Sequence, residues 1–226
     1  MPTPNKELLD DNILKFAATT ITNEQYGMPG WTRGQGSRFH KGVDIQPVQV
    51  ERGRGTVRID YYDAKAGRGF YRREPVLIPK DEIYSILDGT VVVANNNEKR
   101  SGYGRYVMIE HRFENGSRFV SMYAHLNELT VSEGTPVKAG QRIGWMGGSS
   151  SKAGARNYLK AIPHCHFEVG RVIDQNFAGT RRARALYPPM LGGKYDPRNI
   201  QPYNPVEFLQ TYRAVPRPAV LAANLD

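Results

Sequence analysis

DGTVVVANNNEKRSGYGRYVMIEHRFENGSRFVSMYAHLNEL, residues 88–129, is the stretch whose reading decides the fold. Three runs within it, DGTVVVA, YGRYVMIEHR and SRFVSMYAHL, are rich in Val, Ile, Tyr, Phe and Met, residues that suit a pleated, half-buried surface. The stretches between them carry Asn, Gly and Ser, and FENG (113–116) reads as a turn. EGTPVKAGQRIGWMGG (133–148) continues the pattern. Short strands at near-regular spacing predict a mainly β protein, an antiparallel sandwich or barrel.

Upstream, TVRIDYY (56–62) and FYRREPVLI (70–78) flank the turn-like DAKAGRG and predict a hairpin, read as an insertion. Residues 6–18 place Leu9, Ile13, Phe16 and Ala17 at helical spacing, which predicts a short amphipathic helix. Downstream, SSSKAGARNYLKA (149–161) reads as a polar linker before the strand PHCHFEVGRVI, and a Gly- and Pro-rich run follows to about Tyr203. Asn204 offers a helix cap with Pro205 at the first helical position, so NPVEFLQTYR closes the domain as a short helix. The tail VPRPAVLAANLD is expected to be loosely held.

Composition limits the function. Among 226 residues, 39% hydrophobic, with 23 Gly and 15 Pro, a loop-rich globular chain is expected rather than a helical bundle. The formal charge of +9 favours an anionic partner. No aromatic-plus-basic RNA signature, helix-turn-helix pattern or cysteine-rich finger accompanies it, so no nucleic-acid partner is expected. Cys165 is the single cysteine, which excludes an intramolecular disulfide and a thiolate metal cluster. No window approaches the roughly 18 apolar residues of a membrane span. The start MPTPNKELLDDN has no basic segment followed by an apolar core, so either the protein is not exported or this is a mature chain without its signal.

The five histidines, His40, His111, His125, His164 and His166, carry the chemistry. In IPHCHFEV, residues two apart project from one face of a strand, so His164 and His166 point together and Cys165 points away. Paired imidazoles are poor core filling unless something satisfies their nitrogens, because a buried polar group without a partner costs about 1–3 kcal/mol. In HKGVDI, His40 and Asp44 are four apart, an offset that aligns them on an extended segment or a helix. Alone, that pattern fits a solvated surface pair equally well. Joined to His-x-His it supplies two imidazoles and a carboxylate, the donor set of a catalytic zinc with one position open. Two unrelated pairs remain the alternative on spacing alone.

FHKGVDI, DGTVVVA, YGRYVMIEH, MYAHLNEL, EGTPVKAGQRIGWMG and PHCHFEV together resemble the lysostaphin and LytM-type zinc metallopeptidases, which cut peptidoglycan peptides. The segments run in the family's order over about residues 39–170, and NPVEFL resembles its closing segment. The resemblance implies a β-rich groove on a barrel-sandwich of the duplicated-hybrid-motif type with short terminal helices. It implies that His40, Asp44 and His166 bind Zn2+, and that His164 and His125 handle protons beside it, His164 as base and His125 at the oxyanion. His111 is then structural, and Cys165 stands where the family often has Leu.

The chain departs from the family's pattern in two insertions, at about 47–83 and 149–162, both bordering the groove. The organisation expected is an N-terminal extension 1–38, a metallopeptidase domain 39–213 and a tail 214–226. Tyr61, Tyr62, Tyr71 and nearby arginines either line the groove or form an ordinary solvated hairpin, the simpler reading. The implied substrate is peptidoglycan peptide, which implies a periplasmic or extracellular location. The rivals are an inactive wall-binding or amidase-activator protein on the same fold, and a carrier module, since GTPVKAGQRIG resembles biotinyl and phosphocarrier turns. No lysine at a hairpin tip between small or Met neighbours supports the carrier.

Overall fold

The computed structural model describes residues 1–63, 65–112, 115–177 and 193–213. The C-terminal tail and most of the Gly- and Pro-rich run lie outside the described residues. Thirteen strands are described: β1 (Gly30–Arg33), β2 (Arg38–His40), β3 (Val43–Ile45), β4 (Val50–Asp63), β5 (Arg68–Pro79), β6 (Glu82–Tyr84), β7 (Gly89–Asn95), β8 (Arg105–Arg112), β9 (Arg118–Leu129), β10 (Pro136–Val137), β11 (Arg142–Met146), β12 (Cys165–Val172) and β13 (Ile200–Pro202). Helices α1 (Ile13–Phe16), α2 (Ala153–Ala161) and α3 (Pro205–Arg213) accompany them. The mainly β, antiparallel class expected from residues 88–148 is what forms.

Nine strands make one antiparallel sheet, with path β10-β7-β8-β9-β11-β6 and a second arm in which β12 pairs with β9, β3 and β13. β9 is the fork. Its residues 120–124 pair with β12, while Leu126, Glu128 and Leu129 pair with β11. Between the two partners stands His125 at φ 61, a left-handed conformation that costs a non-glycine residue free energy and marks a special position.

Both arms feed one core, in which Val43, Ile45, Val107, Ile109, Tyr123 and Phe167 are fully enclosed. The opposite face of β8 and β9 is covered too, by a cluster that includes Tyr106, Met108, Met122 and Ile200. That double coverage explains why YVMI is apolar without alternation.

The helix expected over 6–18 is broken. A 3-10 turn spans Glu7–Asp10, Asp11 takes φ 57, and only Ile13–Phe16 is α-helical. Asp10, Asp11 and Asn12 are poor helix-interior residues whose side chains compete for the backbone. Asn5 Nδ2 also ties the segment to the Lys15 and Gln46 carbonyls, each at 3.0 Å. Leu8, Phe16 and Ala17 enter the main core, with Leu9 only half-buried.

The linker expected at 149–161 also needs correction, because residues 153–161 form α2. Ala153, Ala155, Leu159, Lys160 and Ala161 are good helix formers, and the serines before them obscured the signal. Leu159 and Ala161 are buried. The helix at the end forms as expected, with Asn204 Oδ1 accepting from the Val206 amide at 3.1 Å.

The hairpin is present and longer than expected. β4 and β5 pair from Val50↔Pro79 to Asp63↔Arg68 as a separate two-stranded sheet. Ile59 and Tyr61 press onto α2 and its C-terminal end through Ala161, Tyr158 and Ile162, so the hairpin and the helix support one another. At its base, Asp81 accepts from the Val48 and Gln49 amides, each at 2.8 Å. Among the described residues no helix is long and apolar enough to cross a membrane.

Candidate metal centre

Four strands from three distant parts of the chain deliver the site. The β3–β12 register sets His166 opposite Asp44, and β9 sets Ala124 opposite His166, which brings His125 alongside. β2 ends on His40. The turn between β2 and β3 passes so close to β12 that a Cβ at Gly42 would lie 2.6 Å from the Phe167 carbonyl oxygen and 2.7 Å from the His166 ring. Only glycine fits there, which accounts for the HKGVD spelling.

His40, Asp44 and His166 are all buried and each offers a ligand atom within 4.8 Å of the others. His40 Nε2 lies 3.2 Å from Asp44 Oδ1 and 3.1 Å from His166 Nδ1, and His166 Nδ1 lies 2.8 Å from Asp44 Oδ1. Backbone carbonyls orient the rings. His40 Nδ1 faces the Met28 carbonyl at 2.8 Å, His125 Nδ1 that of Ser149 at 2.9 Å, and His164 Nδ1 that of Ile162 at 2.9 Å. A ring whose Nδ1–H donates to a carbonyl keeps its lone pair on Nε2. The Nε2 atoms of His40 and His164 therefore converge on the Asp44 carboxylate, His164 at 3.2 Å from Oδ2. Acceptors facing acceptors are stable only around a cation. His40, Asp44 and His166, two imidazoles and a carboxylate within reach of one another, suit a divalent ion.

One cation there is Arg33. Its Nη2 donates to Asp44 Oδ2 and lies 3.1 Å from His40 Nε2, and its guanidinium lies 3.6 Å from the centre of the Tyr26 ring. Burial pushes the Asp44 carboxyl up, but His164, Arg33, His40 and the His166 hydrogen bond outweigh it and hold it well below the usual range. Burial pulls His125 down to about 3 and His164 to about 4, so both rings are neutral at neutral pH. His166 goes the other way. Burial lowers it, but hydrogen bonds to Asp44 and Glu168 raise it to about 9.

Glu168 was not singled out from sequence, although alternation along His164, His166 and Glu168 places all three on one face. Its Oε1 accepts from His166 Nε2 at 2.8 Å and from the Tyr103 hydroxyl at 2.9 Å. It leaves Nδ1 as the nitrogen that faces Asp44. Arg33, Tyr26 and Tyr158 were missed as well, for they sit in segments without a legible pattern.

A cleft of about 770 Å³ opens over the cluster, lined in part by His40, Asp44, His125, His164, His166 and Tyr158. Arg58, Ile59 and Asp60 of the hairpin reach it, whereas Tyr61, Tyr62 and Tyr71 are not among its lining residues. Tyr61 packs on α2, and Tyr71 is 58% exposed. His111 lies apart from the cleft, its Nδ1 2.9 Å from the Asp88 carbonyl and its Nε2 2.7 Å from the Ser121 hydroxyl. Cys165 is enclosed in the core, and burial pushes its thiol up.

Residues 76–178 match the sequence model of peptidase family M23. Over this segment the chain is similar to the LytM-type peptidases of that family. The M23 match includes His125, His164 and His166, and begins after His40 and Asp44. Among curated relatives, the peptidoglycan DD-endopeptidase ShyA of Vibrio cholerae is 33% identical over 87 residues, 38% of this chain and 17% of that protein. The murein hydrolase activator NlpD of Escherichia coli is 37% identical over 87 residues, 38% of this chain and 19% of that protein. The chain thus spans less than a fifth of the length of either. Among solved structures, the catalytic domain of lysostaphin from Staphylococcus simulans aligns over 82% of this chain and 90% of that chain, with 21% identity and a TM-score of 0.43.

Proposed function

We propose that the chain is a zinc-dependent endopeptidase that hydrolyses peptide bonds in bacterial peptidoglycan, with His40, Asp44 and His166 as the metal ligands. The observation that carries this reading is the convergence of His40 and Asp44, which lie outside the M23 match, on His166, which lies inside it. A decayed relative has no need to keep the two halves of a ligand set in register across an inserted hairpin. The endopeptidase named among the relatives supports the substrate class, and that substrate implies a periplasmic or extracellular setting.

When bound, zinc would supply Lewis acidity, lowering the pKa of a water toward about 7 and polarising the scissile carbonyl. The chain's own groups do the rest. His40, Asp44 and His166, the last oriented by Glu168, would hold the ion. His164 carries its free lone pair at Nε2 and takes the proton of the attacking water, then returns it to the departing amine. His125, held through Nδ1 by the Ser149 carbonyl, stands at the oxyanion, whose developing negative charge would raise the basicity of Nε2 so that it takes up a solvent proton and donates it in a hydrogen bond.

A second reading has one observation in its favour. Arg33 already satisfies Asp44 and His40 electrostatically, as a wall-binding or activator protein without metal would require, and NlpD bears an activator's name. Digestion of purified sacculi by zinc-loaded protein, with mass analysis of the fragments, separates the two. Release of cleaved peptides that stops on chelation supports the endopeptidase. Intact sacculi together with a zinc-free chain would leave the activator reading standing.

A further inference from the structure

Among the described residues, two buried side-chain polar atoms lack a hydrogen-bond partner, Arg33 Nη1 and Tyr158 Oη. They belong to segments far apart in sequence, β1 and α2, and both residues line the same cleft. They also border the same ring. The Arg33 guanidinium lies 3.6 Å from the Tyr26 ring centre, and the Tyr158 ring packs against Tyr26 at 4.9 Å between centroids. The Tyr26 hydroxyl is close to that of Tyr158 but stands outside hydrogen-bonding geometry. Tyr158 in turn lies 6.4 Å, centroid to centroid, from His164.

Unpaired donors beside a reaction centre are expensive to keep and point to an acceptor that arrives with a ligand. One donor here carries a fixed positive charge, and the cleft adds Arg38 and Lys152, while the hairpin's Arg58 and Asp60 neutralise each other at 2.9 Å. The acceptor that complements this arrangement is anionic and small. A planar guanidinium matches a carboxylate better than any other common group of a peptide. Metal uptake strengthens the case, because a divalent ion competes with Arg33 Nη2 for Asp44 and leaves the guanidinium seeking another oxygen.

We propose that Arg33 and Tyr158 form a carboxylate-binding subsite beside the metal ligands, which seats a carboxylate of the substrate peptide next to the bond that is cut. The subsite deepens the endopeptidase reading and rests on it for the identity of its ligand. The carboxylate comes either from an acidic side chain or from a peptide C-terminus.

The test uses zinc-loaded protein and three acetyl-capped dipeptide probes followed by NMR titration: Ala-Ala amide, Ala-Ala with a free C-terminal carboxylate, and Glu-Ala amide. At least one carboxylate probe is expected to bind about tenfold tighter than the neutral one, and the probe that does so identifies the source. In Tyr158→Phe, and separately in Arg33→Gln with zinc content verified, that preference is expected to shrink toward unity while neutral-probe binding is unchanged. Equal affinity for all three probes, or no measurable binding of any, overturns the proposal. So does a preference that survives in both variants, since the carboxylate then sits on the metal alone. Sacculus cleavage scored on the same samples keeps the two readings apart: cleavage without carboxylate preference defeats the subsite only, and preference without cleavage defeats the endopeptidase only.

Discussion

Asp44 and His166 face each other directly across the β3–β12 pair, 122 positions apart in sequence and 2.8 Å apart at the hydrogen-bonding atoms. The pairing predicts a division of labour. Alanine at His40, Asp44 or His166 should abolish metal retention, whereas His125→Ala and His164→Ala should keep about one zinc per chain and lose about 10²–10⁴-fold in rate. Metal analysis beside activity on sacculi reads both, and equal metal loss in all five variants would falsify the assignment.

Glu168 is not itself a proposed ligand, yet its hydrogen bond to His166 Nε2 leaves Nδ1 as the nitrogen that faces Asp44. Glu168→Gln is expected to weaken zinc binding about 10–100-fold, with a smaller effect from Tyr103→Phe. Competition against a chromophoric chelator measures this. An unchanged affinity would mean that β12 alone orients the ring.

Arg33 contacts Asp44 and His40, two of the three groups proposed to hold the metal. Arg33→Gln should therefore tighten zinc binding, by about tenfold if one charge-assisted hydrogen bond no longer has to be broken, and should destabilise the metal-free protein, which loses the cation that pairs a buried carboxylate. Chelator competition and melting of the metal-free form should move in these opposite directions.

Gly42 has no room for a methyl group. Gly42→Ala should cost on the order of 1–3 kcal/mol through crowding of the Phe167 carbonyl and the His166 ring, and should weaken metal binding more than an equally destabilising core change such as Val43→Ala. Denaturant melts of both variants, with zinc affinity measured in parallel, provide the comparison.

His111 supplies a pH signature outside the metal centre. Burial lowers it to about 4 from an ordinary value of 6.5, so the folded state binds fewer protons than the unfolded one. Its contribution is fully present above pH 6.5 and is lost as pH falls through 6.5 toward 4, with a total on the order of 3 kcal/mol. The stability gap between the wild type and His111→Leu should narrow over that window. A gap independent of pH would show that the ring is not held neutral.

The strands of residues 88–148 were legible because apolar runs bounded by turn residues leave little alternative. The meeting of His40, Asp44 and His166 was legible because His-x-His and His-x-x-x-Asp each repeat the period of extended chain. Helix α2 was hidden by the serines before it, and the first helix was overestimated because apolar spacing outvoted three consecutive Asp and Asn residues. Arg33, Tyr26 and Tyr158 could not be read in advance. Their roles arise from the meeting of β1, the N-terminal loop and α2 over one cleft, and no local pattern encodes a meeting.

The hairpin of β4 and β5 leaves and rejoins the main sheet at adjacent points, since Val50 and Pro79 are paired at its foot. Its two ends are about one strand spacing apart, roughly 5 Å, so its length is nearly independent of the scaffold beneath it. Such a foot makes the hairpin an interchangeable cassette: it can be trimmed to a tight turn or exchanged for another ribbon without re-registering β3 against β12. The wall of the cleft can thus diversify while the arrangement of His40, Asp44 and His166 below it stays constant.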